Sequence, residues 1–206
     1  MLLEKAIVLN EIRSLMKKRC QWPSTVEMDY HDTEWGVPVT DDKKWFEYLV
    51  LDTFQAGLSW KIILQKREGF RNAFYDFDVH KVAQMTEEEM AKLKEDSNII
   101  RNRLKIKATV SNAQAFIDVQ KEFGSFNTYI WQFTDGKVIH NRYQHLSEIP
   151  TTTPLSDKMS KDLKARGFKF VGSTICYAFM QAAGLVNDHT IHCFRYQEIQ
   201  KISFDN

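Results

Sequence analysis

Glycine marks the ends of the apolar-periodic segments in this chain, and little breaks their interiors. Gly57, Gly124, Gly167 and Gly184 each close a segment with helical spacing. Glycine just past such a segment supplies the left-handed residue on which helices commonly end. With 8 glycines and 4 prolines in 206 residues, the chain is short of turn formers. That shortage argues against a sandwich or barrel of many short strands. The expected fold class is all-α.

Start signals agree. Asp41 or Asp42 caps a helix carrying Trp45, Phe46, Leu49, Val50 and Phe54, and Ser59 caps the next from Trp60. Thr86 and Glu89 make a capping box for a short helix to Lys94. Asn98–Phe123 reads as one long helix with Ile106, Val110, Ala113 and Ile117 on its apolar stripe. Asp135-Gly136 is a turn. Ser156 opens a helix that Gly167 stops, and Gly172-Ser173 opens another that Gly184 stops. Asn187 or Asp188 caps a last helix carrying His189 and Cys193. A weaker amphipathic pattern covers residues 3–18.

Hydrophobic residues at 43% and aromatics at 13% supply a core and exclude a disordered chain. Residues 1–19 are interrupted by Glu4, Lys5, Asn10, Glu11 and Arg13, which does not suit a signal peptide. The longest uncharged stretch, Phe170–Asn187, holds Ser173, Thr174 and Gln181 and reads as a buried helix rather than a membrane span. Three cysteines do not make a disulfide framework, so a reducing, cytoplasmic setting is expected.

Two of those cysteines have histidines at metal-ligand spacing. Cys20 precedes His31, and His189 precedes Cys193 at i, i+4, on one face of the expected last helix. Two thiolates and two imidazoles make a tetrahedral zinc set. Spacing alone leaves open a second reading, of buried thiols and unrelated histidines. His192 is a worse-placed rival ligand. Cys176 reads as core, and His80, His140 and His145 as surface residues.

Trp22, Tyr30, Trp35 and Trp60 crowd into short stretches that also hold Asp32, Glu34 and Asp52. Clustered aromatics are core by default. Residues 30–36, however, mix polar and aromatic side chains without helical or strand period, as a loop lining a site does. An indole beside a carboxylate suits a flat cationic heterocycle, through stacking and cation–π contact on the ring and hydrogen bonds to the acid.

The formal net charge is +1. Position tells more than the total. Lys158, Lys161, Lys164, Arg166 and Lys169 gather around the glycine turn of the helical hairpin, and Arg101, Arg103, Lys105 and Lys107 gather at the start of the long helix. Backbone N–H groups at Gly172-Ser173 would bind phosphate, aided by the helix dipole.

The blocks YHDTEWGVP (30–38), QAGLSW (55–60), LSEIP (146–150) and GFKFVGSTICYAFMQAAGLVNDH (167–189) resemble the bacterial 3-methyladenine DNA glycosylase I family over residues 19–193. The resemblance implies a two-lobed helix–hairpin–helix glycosylase fold and excision of 3-methyladenine from alkylated double-stranded DNA, leaving an abasic site without a lyase step. It implies structural Zn²⁺ on Cys20, His31, His189 and Cys193, joining the two ends of the domain. It places base binding on Trp60, Tyr30, Trp22 and Trp35, and backbone contacts on Gly167, Lys169, Gly172 and Ser173. The organisation expected is an extension over 1–19, one glycosylase domain over 20–196 and a tail over 197–206, working as a monomer without a nucleotide cofactor.

The chain departs from the family at two places and from the wider superfamily at a third. Asp52 stands where well-known members have a glutamate that contacts the methylated base, and it is the expected catalytic acid here. Glu27 replaces a second pocket tyrosine. Phe170 stands where a glycine is usual in the wider superfamily, a departure the family shares. Asp188 lies near the superfamily's catalytic aspartate, but reads as a helix cap. Alternatives to the glycosylase reading are a non-catalytic zinc-stapled DNA-binding module and a glycosylase for another alkylated purine.

Overall fold

Helix α2 (Asp42–Gln55) is buried from Trp45 to Phe54 without a break. A helix with that much covered surface is packed on more than one side. It is the element around which the rest is arranged. The computed structural model describes residues 17–203. The helix expected over 3–18 lies outside the described residues but for its last two.

In chain order the other helices are α1 (Met28–Thr33), α3 (Trp60–Gln65), α4 (Arg67–Ala73), α5 (Val79–Ala83), α6 (Glu87–Leu93), α7 (Arg103–Phe123), α8 (Phe126–Trp131), α9 (Pro154–Ala165), α10 (Ser173–Ala182) and α11 (Phe194–Gln200). The described residues are mostly helical, as expected. Two two-residue strands, β1 (Ile139–His140) and β2 (Val186–Asn187), pair in parallel with Ile139 beside Val186 and His140 beside Asn187.

Indoles and phenyl rings fill the centre. Trp45 Nε1 donates to Asn127 Oδ1 at 2.9 Å, and Trp131 Nε1 donates to the Val39 carbonyl at 2.9 Å. Phe116 of α7 stacks on Phe126 of α8 with centroids 4.1 Å apart. Buried indole N–H groups with partners cost little, and the ring area contributes fully to the core.

Several start signals act as read. Asp41 Oδ1 accepts from the Lys44 N–H, and Thr86 with Glu89 forms a reciprocal capping box. Others need correction. The long helix starts at Arg103, not Asn98, because the Asn102 side chain accepts from the Leu104 and Lys105 N–H groups. Asn98 is instead held by the Asp96 carboxylate. Thr153, not Ser156, caps α9; Pro154 takes its first turn, and Ser156 is the reciprocal partner in the box. Ser59 occupies a cap position without a side-chain bond.

The last helix is the largest correction. It begins at Phe194, with Cys193 as its N-cap residue, so His189 and Cys193 lie in the loop before it. Pairing of β2 with β1 holds residues 186–187 extended and delays helix formation. Asp188 is not a cap. It is a buried acceptor for Asn141, Tyr177 and Gln181.

Two close fits place the site. Gly184, at φ +76°, lies against the 37–38 backbone so closely that a Cβ would come within 2.4 Å of the Val37 carbonyl carbon. The loop after Trp35 is thereby seated on the end of α10, where Gly36 N–H donates to the Gln181 carbonyl and Val39 N–H to that of Ala183. On the other side, the Asn112 side chain grips the hairpin turn between α9 and α10. It accepts from Lys169 N–H at 2.7 Å and donates to the Lys169 carbonyl at 3.1 Å. Phe170, the next residue, takes a left-handed φ of 57° with its ring partly exposed.

Candidate active site and metal centre

Aromatic residues from four segments meet around one cavity of about 420 Å³. Trp22, Tyr30 of α1, Trp35, Asp52 of α2 and Trp60 of α3 all line it. Every residue expected to read a base therefore faces the same space. Tyr30 and Trp60 lie with ring centroids 5.3 Å apart, and Trp22 meets Trp35 edge-on at 5.1 Å.

Three acids were near these aromatics in the chain, and only one faces the cavity. Asp32 is taken by Arg19 and by His31. Glu34 receives two bonds from Arg67 at 2.7 Å each, one from Lys44 at 3.0 Å and one from the Tyr48 hydroxyl at 3.2 Å. Burial alone would raise the Glu34 pKa, but the guanidinium and ammonium outweigh it and hold it at about 2. Asp52 is different. It is 1% exposed, and its Oδ2 has no hydrogen-bond partner among the described residues. Burial pushes its pKa well above the ordinary carboxylate value. The indole nitrogens of Trp22 and Trp60 are likewise buried without partners. A cavity walled by aromatic rings, with one unpartnered carboxyl, is made for a flat ligand that carries donors and positive charge.

Helix α10 and the 146–151 segment close the cavity. Leu146, Ile149, Thr174, Tyr177 and Gln181 belong to its lining but not to the expected base-binding set. The LSEIP block entered the sequence reading only as part of a resemblance. For Tyr177 and Gln181 the available signal was a pair of polar groups at i, i+4 on an otherwise uncharged helix.

Behind the aromatic wall lies the Cys/His cluster. Donor atoms of Cys20, His31, His189 and Cys193 all fall within 4.8 Å of one another, and all four residues are buried. Cys193 Sγ is 3.6 Å from His31 Nε2 and 3.5 Å from His189 Nδ1, and Cys20 Sγ is 3.6 Å from His189 Nδ1. Zinc bonds of about 2.3 Å to sulfur and about 2.0 Å to nitrogen at tetrahedral angles give S···N edges of about 3.5 Å. The outer ring nitrogens are also settled. His31 Nδ1 lies 2.8 Å from the Asp32 carboxylate, and His189 Nε2 lies 2.9 Å from the Trp35 carbonyl. Both partners are acceptors, so the outer nitrogens carry the protons and the inner lone pairs face the sulfurs. Hydrogen bonding between the thiols pushes Cys20 above the ordinary thiol value and holds Cys193 below it. The set fits a divalent metal. His192 is exposed and outside it.

The basic stretches resolve unevenly. Arg101, Arg103 and Lys107 are exposed just before and along the start of α7. Lys105 is not on that surface. It is 6% exposed, and its ammonium donates inward to the carbonyls of Phe54 at 2.9 Å and Ala56 at 2.7 Å. In the hairpin, Lys158, Lys161, Lys164 and Lys169 are exposed, while Arg166 pairs with Glu122 and Asp162. The Lys169 N–H is spent on Asn112, so only its side chain is available to a phosphate. The first N–H groups of α10, after Gly172 and beside Ser173, have no intrahelical partner, as at any helix start.

A helical enclosure with an aromatic, acid-bearing pocket beside a hairpin is the architecture of a base-excising enzyme. The chain belongs to the methyladenine glycosylase family, whose sequence model matches residues 20–196. It is 50% identical to DNA-3-methyladenine glycosylase 1 of Escherichia coli (strain K12) over 181 residues, 87% of this chain and 97% of the relative. It superposes with a TM-score of 0.84 on the crystal structure of 3-methyladenine DNA glycosylase I, at 49% identity, covering 86% of this chain and 98% of that one. A variant of another 3-methyladenine DNA glycosylase I, crystallised with 3-methyladenine, gives a TM-score of 0.81 at 39% identity, covering 83% of this chain and 92% of that one.

Proposed function

We propose that the protein is a monofunctional DNA glycosylase that flips 3-methyladenine out of alkylated double-stranded DNA and hydrolyses its N-glycosidic bond. The observation that carries this is the buried, unpartnered Asp52 Oδ2 in the cavity that Trp60 also lines.

A base inside the duplex is out of reach, so it must leave the stack. Trp60 takes one face of the flipped purine, and stacking of a base on an aromatic ring is worth about 1–3 kcal/mol. Tyr30 reads its edge, and Trp22 and Trp35 complete the walls. Asp52 accepts from the exocyclic amine and, once ionised, compensates the positive charge. 3-Methyladenine in DNA is a cation. It leaves with the electron pair of the C1′–N bond as a neutral base, and water adds at C1′ with loss of a proton. Unmodified adenine is neutral, so it gains less in the pocket and leaves poorly. Differential binding of this kind supplies selection and rate together.

Zn²⁺ is the metal proposed for Cys20, His31, His189 and Cys193, and its contribution is structural, cross-linking the start of the domain to its end. Asp52 and Trp60 stand apart from it and carry the recognition. Lys169, Gly167, Gly172 and Ser173 are assigned to the DNA backbone. One glycosylase domain over 20–196, flanked by 1–19 and a tail over 197–206, acts as a cytoplasmic monomer with no nucleotide cofactor. The test is incubation with methylated DNA and identification of released bases. Release of 3-methyladenine with abasic-site formation supports the reading. Binding without release overturns it in favour of a DNA-binding module.

A further inference from the structure

Asp188 and Gln181 lie on opposite sides of a boundary. Asp188 is 1% exposed, and Gln181 is half-buried in the cavity lining. Three donors converge on the Asp188 carboxylate. Asn141 Nδ2 reaches Oδ1 at 2.7 Å, and Tyr177 Oη and Gln181 Nε2 reach Oδ2 at 2.6 Å and 2.8 Å. An ionised carboxylate only accepts. It therefore dictates which end of the Gln181 amide faces it, namely the NH₂ group. The oxygen, Oε1, points away from Asp188 and has no hydrogen-bond partner among the described residues. The backbone beneath cannot drift, because the Gln181 carbonyl accepts from Gly36 N–H at 3.0 Å.

We infer that Gln181 is a specificity-determining residue whose Oε1 accepts from the donor edge of the flipped purine, and that Asp188 is the positioning residue that fixes the amide in that sense. This rests on the glycosylase reading and deepens it. With Asp52 as the other acceptor, the pocket presents acceptors to a purine whose exocyclic group is an amine. A purine with a carbonyl there, such as 3-methylguanine, offers an acceptor and meets a mismatch. Amide orientation in a free glutamine is a coin toss, since either end serves. Asp188 removes that freedom, and an unmet buried polar group is what rejects the wrong base.

The test is the ratio of initial release rates of 3-methyladenine and 3-methylguanine from the same methylated DNA. Asp188→Asn supplies both a donor and an acceptor, so the Gln181 amide is free to turn and the ratio falls by about tenfold, the worth of one hydrogen bond exchanged for a mismatch. Gln181→Met takes one donor from Asp188 but leaves it held by Asn141 and Tyr177, with the metal-cluster residues unaltered; it lowers 3-methyladenine release more than 3-methylguanine release and also reduces the ratio. Because Asp188 adjoins His189, metal content and melting temperature are measured in both variants. Equal losses for the two bases in Gln181→Met, with the ratio unchanged, overturn the inference and leave only a packing role. No release by the unaltered protein removes the glycosylase reading and the inference with it; release with an unshifted ratio removes the inference alone.

Discussion

The Lys105 ammonium donates to the Ala56 carbonyl at 2.7 Å, across 49 residues of chain. With the Phe54 carbonyl it holds the end of α2 at the corner that turns through Gly57 to Trp60. Carbonyls at a helix end lack intrahelical donors, and a cation there also meets the negative end of the helix dipole. The corner is thus set from behind by the first turn of α7. Replacing Lys105 with methionine keeps most of the stem but leaves two carbonyls short of a donor, at about 1–3 kcal/mol each where burial is complete. The expected outcome is a lower melting temperature together with reduced 3-methyladenine release, because Trp60 loses its seat. Arginine at the same position recovers part of both. A melt and a release assay run in parallel check this, and unchanged release in a destabilised Lys105→Met variant would contradict it.

Asp52 makes the protein less stable so that the pocket can work. Its folded-state pKa is raised by burial, so folding favours the protonated form. Stability from this group is fully present below its unfolded value of 3.8 and is lost as pH rises through the folded value. Catalysis runs the other way. The cationic base needs the carboxylate, so kcat/KM for release rises with pH through the same window. Asp52→Asn removes both dependences. It raises the melting temperature at neutral pH by about 2 °C or more and lowers release of 3-methyladenine at least about tenfold, as expected for one lost charge-assisted hydrogen bond. Melting curves and release rates measured upward from the ordinary carboxylate value over the whole pH range in which the protein stays folded test the pair of slopes, and a flat rate profile in the unaltered protein sinks the assignment.

What was legible in the chain was local. Asp41, Thr86 and Glu89 act within one turn of themselves, and their roles follow from spacing. Residues 30–36 read as a loop because their mixture has no helical or strand period, yet Met28–Thr33 form α1; what stands is their place at the cavity, which Tyr30 and Trp35 line. Non-local contacts were not legible. His189 and Cys193 sit at helical spacing, yet β1 holds residues 186–187 extended and keeps them off a helix. Asp188 looks like a cap until Asn141, Tyr177 and Gln181 are seen converging on it. Lys105 looks like its exposed neighbours Arg103 and Lys107, and only the α2 carbonyls reveal that it points inward. Pairwise chemistry over long separations leaves no periodic trace in sequence.

The cluster of Cys20, His31, His189 and Cys193 touches the pocket through shared residues. Trp22 packs on the His31 ring at 5.3 Å, and the Trp35 ring meets His189 at 4.6 Å while its carbonyl receives the His189 N–H. Both indoles line the cavity. Removing a bound metal therefore has two consequences of different size. The ends of the domain lose a cross-link, which lowers the melting temperature. The aromatic wall also loosens, which changes tryptophan emission and weakens 3-methyladenine binding before global unfolding. Chelation monitored by fluorescence and by base titration at a temperature well below the melt tests this. Cys193→Ala with full metal content and an unchanged melt contradicts the ligand assignment.

The hairpin between α9 and α10 separates charge from geometry, and two substitutions distinguish them. Lys169 carries an exposed cation, while Asn112 holds the Lys169 backbone from α7 by two hydrogen bonds. Each phosphate neutralised by a side chain contributes a slope of about −0.9 to the dependence of log affinity on log salt. Lys169→Ala should weaken binding to undamaged duplex DNA and reduce the magnitude of that slope by about 1. Asn112→Ala removes no charge. It frees a turn whose Phe170 sits at a left-handed φ of 57°, a conformation an aromatic residue keeps only when its surroundings hold it there. DNA affinity falls in this variant too, but the salt slope stays close to that of the unaltered protein, because the cations remain and only their placement is lost. Binding measured by fluorescence anisotropy from 50 to 200 mM salt separates the outcomes. Equal slopes in the two variants would remove the assignment of Lys169 to a phosphate.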